Sequence, residues 1–156
     1  SRFYHKSLKM KNKFQPNKIV IHCTMTMNDR DLTRNEIMDM CPDAKHDPMP
    51  YHKIIDLEGR VISGKKNSEH CDHIGRESAS ALSYAYIGGI DADTGEVCNT
   101  MNDAQRDTLI FLLRCDKARH PEWTIHGANE FMPTTSPNFD VQEFLKSINL
   151  SNPENK

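Results

Sequence analysis

The sequence predicts an α/β domain, a mixed central β-sheet with flanking helices, and two kinds of periodicity carry that expectation. Short β-branched apolar runs such as "NKIVIHCT" (17–24) read as buried strands, whereas "NDAQRDTLIFLLRCDKARH" (102–120) repeats apolar residues at helical spacing behind a capping residue. Their order, β-α-β-β-β-α-β-α, places helices on a sheet. At 156 residues, 37% hydrophobic and 27% charged, the chain is one ordinary domain with enough length to bury a core.

Each element has a local reason. The first strand ends near His22. "DLTRNEIMDM" (31–40) forms a short helix with Thr33 as N-cap and Glu36 at the reciprocal position, a capping box, and it stops before Pro42. "YHKIIDLEGRVISG" (51–64) reads as two strands joined by a Glu58-Gly59 turn. "ALSYAYIGGID" (81–91) is a further strand closed by Gly88-Gly89, whose role is backbone geometry. In the long helix Asn102 caps, Gln105 occupies the box position, and Leu109, Leu112 and Leu113 face the core. "EWTIH" (122–126) is the last strand, and "NFDVQEFLKSI" (138–148) a terminal helix docking through Val141, Phe144 and Leu145.

The net charge of −2 hides an asymmetry. Residues 1–18 carry six Lys or Arg and no acid, leaving 14 basic and 22 acidic side chains in the remainder, a net of −8. A basic arm on an acidic body suits contact with an anionic partner, nucleic acid included; the plainer reading, a solvated tail, is favoured. The expected division is a basic arm over 1–17, a folded domain over 18–150 and a tail over 151–156. No run approaches the roughly 18 apolar residues of a membrane span. With no signal peptide and five cysteines outside any disulfide-framework spacing, the expectation is a cytoplasmic protein without a membrane partner.

Beyond these patterns, "IVIHCTMT", "YHKIIDLEGRVISG", "HIGRESASALSYAYIGGID", "HGANEF" and "SPNFDV" fall in an order and spacing that resembles the type 2 N-acetylmuramoyl-L-alanine amidases. That family includes the peptidoglycan recognition proteins and the amidase-type lysozymes of podophages. The resemblance runs from about Lys18 to Leu145, and the "YIGGID" and "NFDV" blocks are its specific parts. It implies a cleft holding one zinc ion that activates water to cut the amide between the lactyl group of muramic acid and L-alanine. Catalytic zinc takes three protein ligands and keeps a fourth position for water. In the family these are a His ending the first strand, a His after the last strand and a Cys eight residues later, helped by a Tyr and a Lys at the developing oxyanion.

Carried over residue by residue, the resemblance matches only part of that set. The first zinc His is His22, the Tyr is Tyr51, and a further cleft His is His73. The second zinc His falls on Ala128, in a block where Gly-His-Asn-Glu-Phe has become Gly127-Ala128-Asn129-Glu130-Phe131. The Lys falls on Thr134 and the zinc Cys on Ser136. Alanine has no donor atom, and a serine hydroxyl is a far poorer ligand than a thiolate. His126, two residues before Ala128, shares a strand face with it, yet the ~6.6 Å step is too long for it to replace the lost ligand. The expected cleft therefore comprises His22, Tyr51, His73, His126, Ala128, Asn129, Thr134 and Ser136, with His22 the single retained zinc ligand and no catalytic residue set intact.

Plainer readings apply around it. Cys23 points into the core, His52 faces away from the cleft, and the His70, Cys71, His73 group lines the cleft rather than holding a metal. Three functions follow. The favoured one is a catalytically silent amidase-fold protein, without cofactor, binding a muramyl peptide in the old cleft. The second is an active zinc amidase with an altered metal site. The third is a cytosolic regulator that binds a protein partner, as podophage lysozymes of the family inhibit a phage RNA polymerase, or that captures another small molecule such as a nucleotide signal.

Overall fold

The computed structural model describes residues 14–41, 48–71 and 75–153. Its elements are β1 (Lys18–Cys23), β2 (Thr26–Met27), α1 (Arg34–Asp39), β3 (Lys53–Ile55), β4 (Val61–Ser63), β5 (Ala81–Tyr86), β6 (Gly89–Ile90), α2 (Asp103–Arg119), β7 (Thr124–Gly127) and α3 (Val141–Ser147). Two 3-10 helices, Gly75–Ser80 and Ala128–Glu130, precede β5 and follow β7. Five strands form one sheet in the order β4-β3-β5-β1-β7. Every pairing in it is parallel except the β3–β4 hairpin, so the sheet is mixed, as expected.

The helix starts follow the capping residues. Thr33 and Glu36 exchange reciprocal hydrogen bonds at the start of α1, and Asn102 and Gln105 do the same for α2. Gln105 also reaches inward: it is fully buried, and its amide donates to the carbonyls of Ile87 at 2.9 Å and Ile55 at 3.3 Å. One long helix is thereby fastened to two strand ends. The β3–β4 turn needs a left-handed residue, and Gly59 supplies it with φ +81; a Cβ there would meet the Ala104 carbonyl oxygen at 2.7 Å.

β1 is the central strand, and its alternation separates two packing layers. Ile19, Ile21 and Cys23 join Tyr84, Tyr86, Leu109, Leu113, Val141 and Leu145 in the core beneath α2 and α3. Tyr84 donates to Asp116 of α2 at 2.6 Å within that layer. The opposite layer holds Ile37 of α1 with Tyr51, Ile54 and Ala85, and Val20 with Ala128. Leu112 is only partly buried, unlike its neighbours Leu109 and Leu113.

Two features differ from the sequence expectation. "YIGGID" does not end one strand: after Tyr86 the chain passes through Gly88 and enters β6, which pairs with β2 in a separate two-stranded sheet. Gly89 has φ +108, and a Cβ there would lie 2.7 Å from Cys23 Sγ, so glycine allows the turn to close over β1. Both ends of the folded body extend slightly past the elements. Phe14 stacks on His52 with ring centroids 5.9 Å apart, and the Asn152 side chain bonds both backbone groups of Ile125 at 2.7 Å. The basic stretch before residue 14 lies outside the described residues.

Candidate functional site

His22 is buried near the end of β1, on the face opposite Ile21 and Cys23. Register sets what stands beside it: β1 and β7 pair from Lys18↔Thr124 to Ile21↔Gly127, so Ala128 follows immediately where β7 ends. Tyr51, just before β3, brings its ring 5.4 Å from the His22 imidazole in a tilted arrangement. Together with Thr134 and Ser136 of the following loop these residues line one cavity of about 340 Å³.

The loop from 128 to 140 is held to the sheet by its own polar groups. Ser136 Oγ accepts the Cys23 N–H at 2.9 Å, at the point where β7 has turned away from β1. The Ser136 carbonyl accepts from the Asn129 N–H at 2.8 Å, and Thr134 Oγ1 accepts from the Ser136 N–H at 3.2 Å. Tyr86 donates to the Pro137 carbonyl at 2.7 Å, next to the cis Ser136-Pro137 peptide. Asn138, at φ 70, donates to the carbonyls of Gly89 and Cys98, both at 2.9 Å. The loop is thus shaped by serine, asparagine and tyrosine bonds that need no metal.

Two expected cleft residues stand elsewhere. His126 is absent from the cavity lining: its partner across β1 is Val20, its Nδ1 lies 3.0 Å from Glu130 Oε1, and its Nε2 lies 2.8 Å from Thr124 Oγ1. His126 and Ala128 do not share a strand face, because the strand ends at Gly127 and Ala128 opens a 3-10 helix, which breaks the two-residue alternation. Asn129 also faces away from the cavity, its amide donating to the carbonyls of Thr135 and Phe139, both at 3.3 Å. His73 lies outside the described residues. Cys71 lies deep in the structure beside His52, 3.5 Å from its Nδ1, and does not line the cavity.

The sequence reading missed much of the cavity wall. Met25, Met40 and Met132 contribute thioether side chains, and Cys41 and Pro50 complete that side. Thr24 and Cys23 lie alongside His22. The only signal was adjacency to "IHCT" and to the end of α1, since methionine carries no motif chemistry.

Among the described residues no Lys, Arg, Asp or Glu lines the cavity. Burial pushes the Tyr51 hydroxyl well above its ordinary value, and burial also raises the thiols of Cys23 and Cys41, so these groups stay protonated near neutral pH. Ala128 offers no donor atom, and Ser136 Oγ already accepts a backbone N–H. No group of three or more His, Cys, Asp or Glu able to hold a metal ion gathers among the described residues. Among the described residues, the donor set at the cavity does not fit a three-ligand catalytic zinc.

The comparisons with known proteins agree with this architecture. No family model matches the chain. The endolysin of Enterobacteria phage K11 is 25% identical over 130 residues, spanning 83% of this chain and 85% of that protein. The N-acetylmuramoyl-L-alanine amidase LysC from Clostridium intestinale superposes with a TM-score of 0.72 at 23% identity, covering 88% of each chain. The chain has the fold of N-acetylmuramoyl-L-alanine amidases and peptidoglycan recognition proteins. Human PGRP-IBETAC, solved in complex with glycosamyl muramyl pentapeptide, shares this amidase-type fold with a TM-score of 0.68 at 14% identity, over 86% of this chain and 85% of that one.

Proposed function

We propose that this amidase-fold protein binds a peptidoglycan-type fragment in the former active-site cleft without hydrolysing it. The observation that carries the reading is the composition of the cavity at the position where the family resemblance places the metal. His22 remains, while Ala128 and Ser136 stand at the other two ligand positions and Thr134 at that of the oxyanion lysine. Loss of a single oxyanion-stabilising donor commonly costs ~10²–10³ in rate. Loss of two of three metal ligands removes the activated water itself.

Retention of the loop supports binding rather than decay. The bonds from Ser136 to Cys23, from Tyr86 to Pro137 and from Asn138 to Gly89 keep the cavity open and shaped although its metal donors are gone. A volume of about 340 Å³ suits a small-ligand site. The ligand class follows the fold neighbours, of which the human recognition protein is a complex with a muramyl peptide.

The test is calorimetric titration of a muramyl pentapeptide into the chain with added zinc, followed by chromatography of the recovered ligand. Saturable binding with the ligand recovered intact is expected. Recovery of free peptide and lactyl-sugar products would overturn the reading in favour of an active amidase.

A further inference from the structure

β7 is the last strand of the five-stranded sheet, and a last strand turns half of its backbone groups away from any neighbour. The Thr124 N–H points inward to the Asn17 carbonyl, so the backbone groups of Ile125 and Gly127 point outward. Side chains meet them there in place of a strand. Asn152 accepts the Ile125 N–H on Oδ1 and donates from Nδ2 to the Ile125 carbonyl, both at 2.7 Å. Gln142 Nε2 donates to the same carbonyl at 3.0 Å, and Asn152 Nδ2 also donates to Gln142 Oε1 at 3.1 Å. Glu130 Oε2 accepts the Gly127 N–H at 2.6 Å. A primary amide carries both the donor and the acceptor of a peptide group, so Asn152 stands where a residue of a further strand would.

The end of α3 delivers that amide. Asn149 takes a left-handed φ of 61, the Leu150 N–H returns to the Leu145 carbonyl at 2.9 Å, and the Leu150 side chain packs on the core. Asn152 follows two residues later, and Pro153 behind it lacks the N–H that a paired strand would use.

We infer that residues 149–153 plug a latent self-association edge, and that the partner this edge fits is a second copy of the chain. Two copies meeting antiparallel about a two-fold axis at Ile125 would exchange N–H···O=C bonds in both directions. They would use the same two backbone groups that Asn152 now holds. The plug therefore keeps two sheets from joining into one, and its release opens a strand-addition surface.

Gln142→Ala combined with Asn152→Ala frees both Ile125 groups, and neither residue lines the cavity, so the test stands apart from ligand binding. Size-exclusion chromatography with light scattering is expected to show a monomeric parent. The double variant, with its circular dichroism unchanged, is expected to form a dimer whose fraction rises with concentration. Amide exchange followed by NMR reads the plug directly. The Ile125 amide of the parent is expected to exchange about tenfold or more slowly than a solvent-facing amide, and to lose that protection in N152A at concentrations where the variant is monomeric. A folded double variant that stays monomeric at high micromolar concentration overturns the inference, as does a parent that already pairs through β7. Where the double variant fails to fold, Asn152→Ala alone carries the same expectation of dimers. An Ile125 amide that exchanges in the parent as fast as a solvent-facing one overturns the plug without any variant.

Discussion

Replacing Ser136 with alanine probes whether the position of the former metal ligand now serves structure. Ser136 is 7% exposed, and its Oγ accepts the Cys23 N–H at 2.9 Å where β7 no longer runs beside β1. In S136A that buried N–H keeps its desolvation cost and loses its acceptor, a penalty of about 1–3 kcal/mol. Water entering from the adjacent cavity brings the loss toward the lower figure. For a chain of this length the same penalty lowers Tm by about 2–12 °C. Urea unfolding followed by circular dichroism measures it as a shift of the midpoint at constant slope. S136C, whose sulfur accepts weakly, is expected to fall between parent and alanine variant. A stability for S136A within about 0.5 kcal/mol of the parent would refute the argument, because surface substitutions alone stay in that range.

Three further outcomes follow from other residues. Gln105→Ala removes the capping-box partner of Asn102 and the amide that satisfies the Ile87 carbonyl, so chemical unfolding should register a loss of about 2–4 kcal/mol; a loss under 1 kcal/mol would show that water replaces the amide without penalty. His52 accepts the Ser83 N–H on Nδ1 at 2.9 Å and donates from Nε2 to the Glu69 carbonyl at 2.6 Å, and burial lowers its pKa. Its neutral ring therefore contributes fully above the unfolded value of about 6.5 and the contribution is lost as pH falls from there through the depressed folded value; unfolding midpoints that hold steady from pH 7.5 to 5 in the parent, or that fall equally in His52→Gln, would contradict this. The double substitution Ala128→His with Ser136→Cys should create a metal site beside His22, detected as Co(II) charge-transfer absorption and at least about a hundredfold tighter zinc binding than either single variant; no gain over the single variants would show that the three positions do not converge.

How much was legible in the sequence divides along the range of the interactions. The capping boxes at Thr33–Glu36 and Asn102–Gln105 obey a three-residue rule and stood out in the sequence. The β2–β6 pair depends on Thr26 meeting Gly89 across 63 residues, and no local period announces two-residue strands. In the site, His22, Tyr51, Ala128, Thr134 and Ser136 line one cavity. His126 and Asn129 do not, because the strand stops at Gly127 and both side chains turn to bonds within their own loop. The methionine wall was invisible for another reason: apolar side chains reveal a pocket only when the backbone brings Met25, Met40 and Met132 together.

Native mass spectrometry of the chain, incubated with a muramyl pentapeptide and excess zinc, reads metal, ligand and chemistry at once. The expected species is a complex whose mass is that of protein plus uncut ligand, with no zinc added. A zinc-bearing species accompanied by the released stem peptide would contradict it.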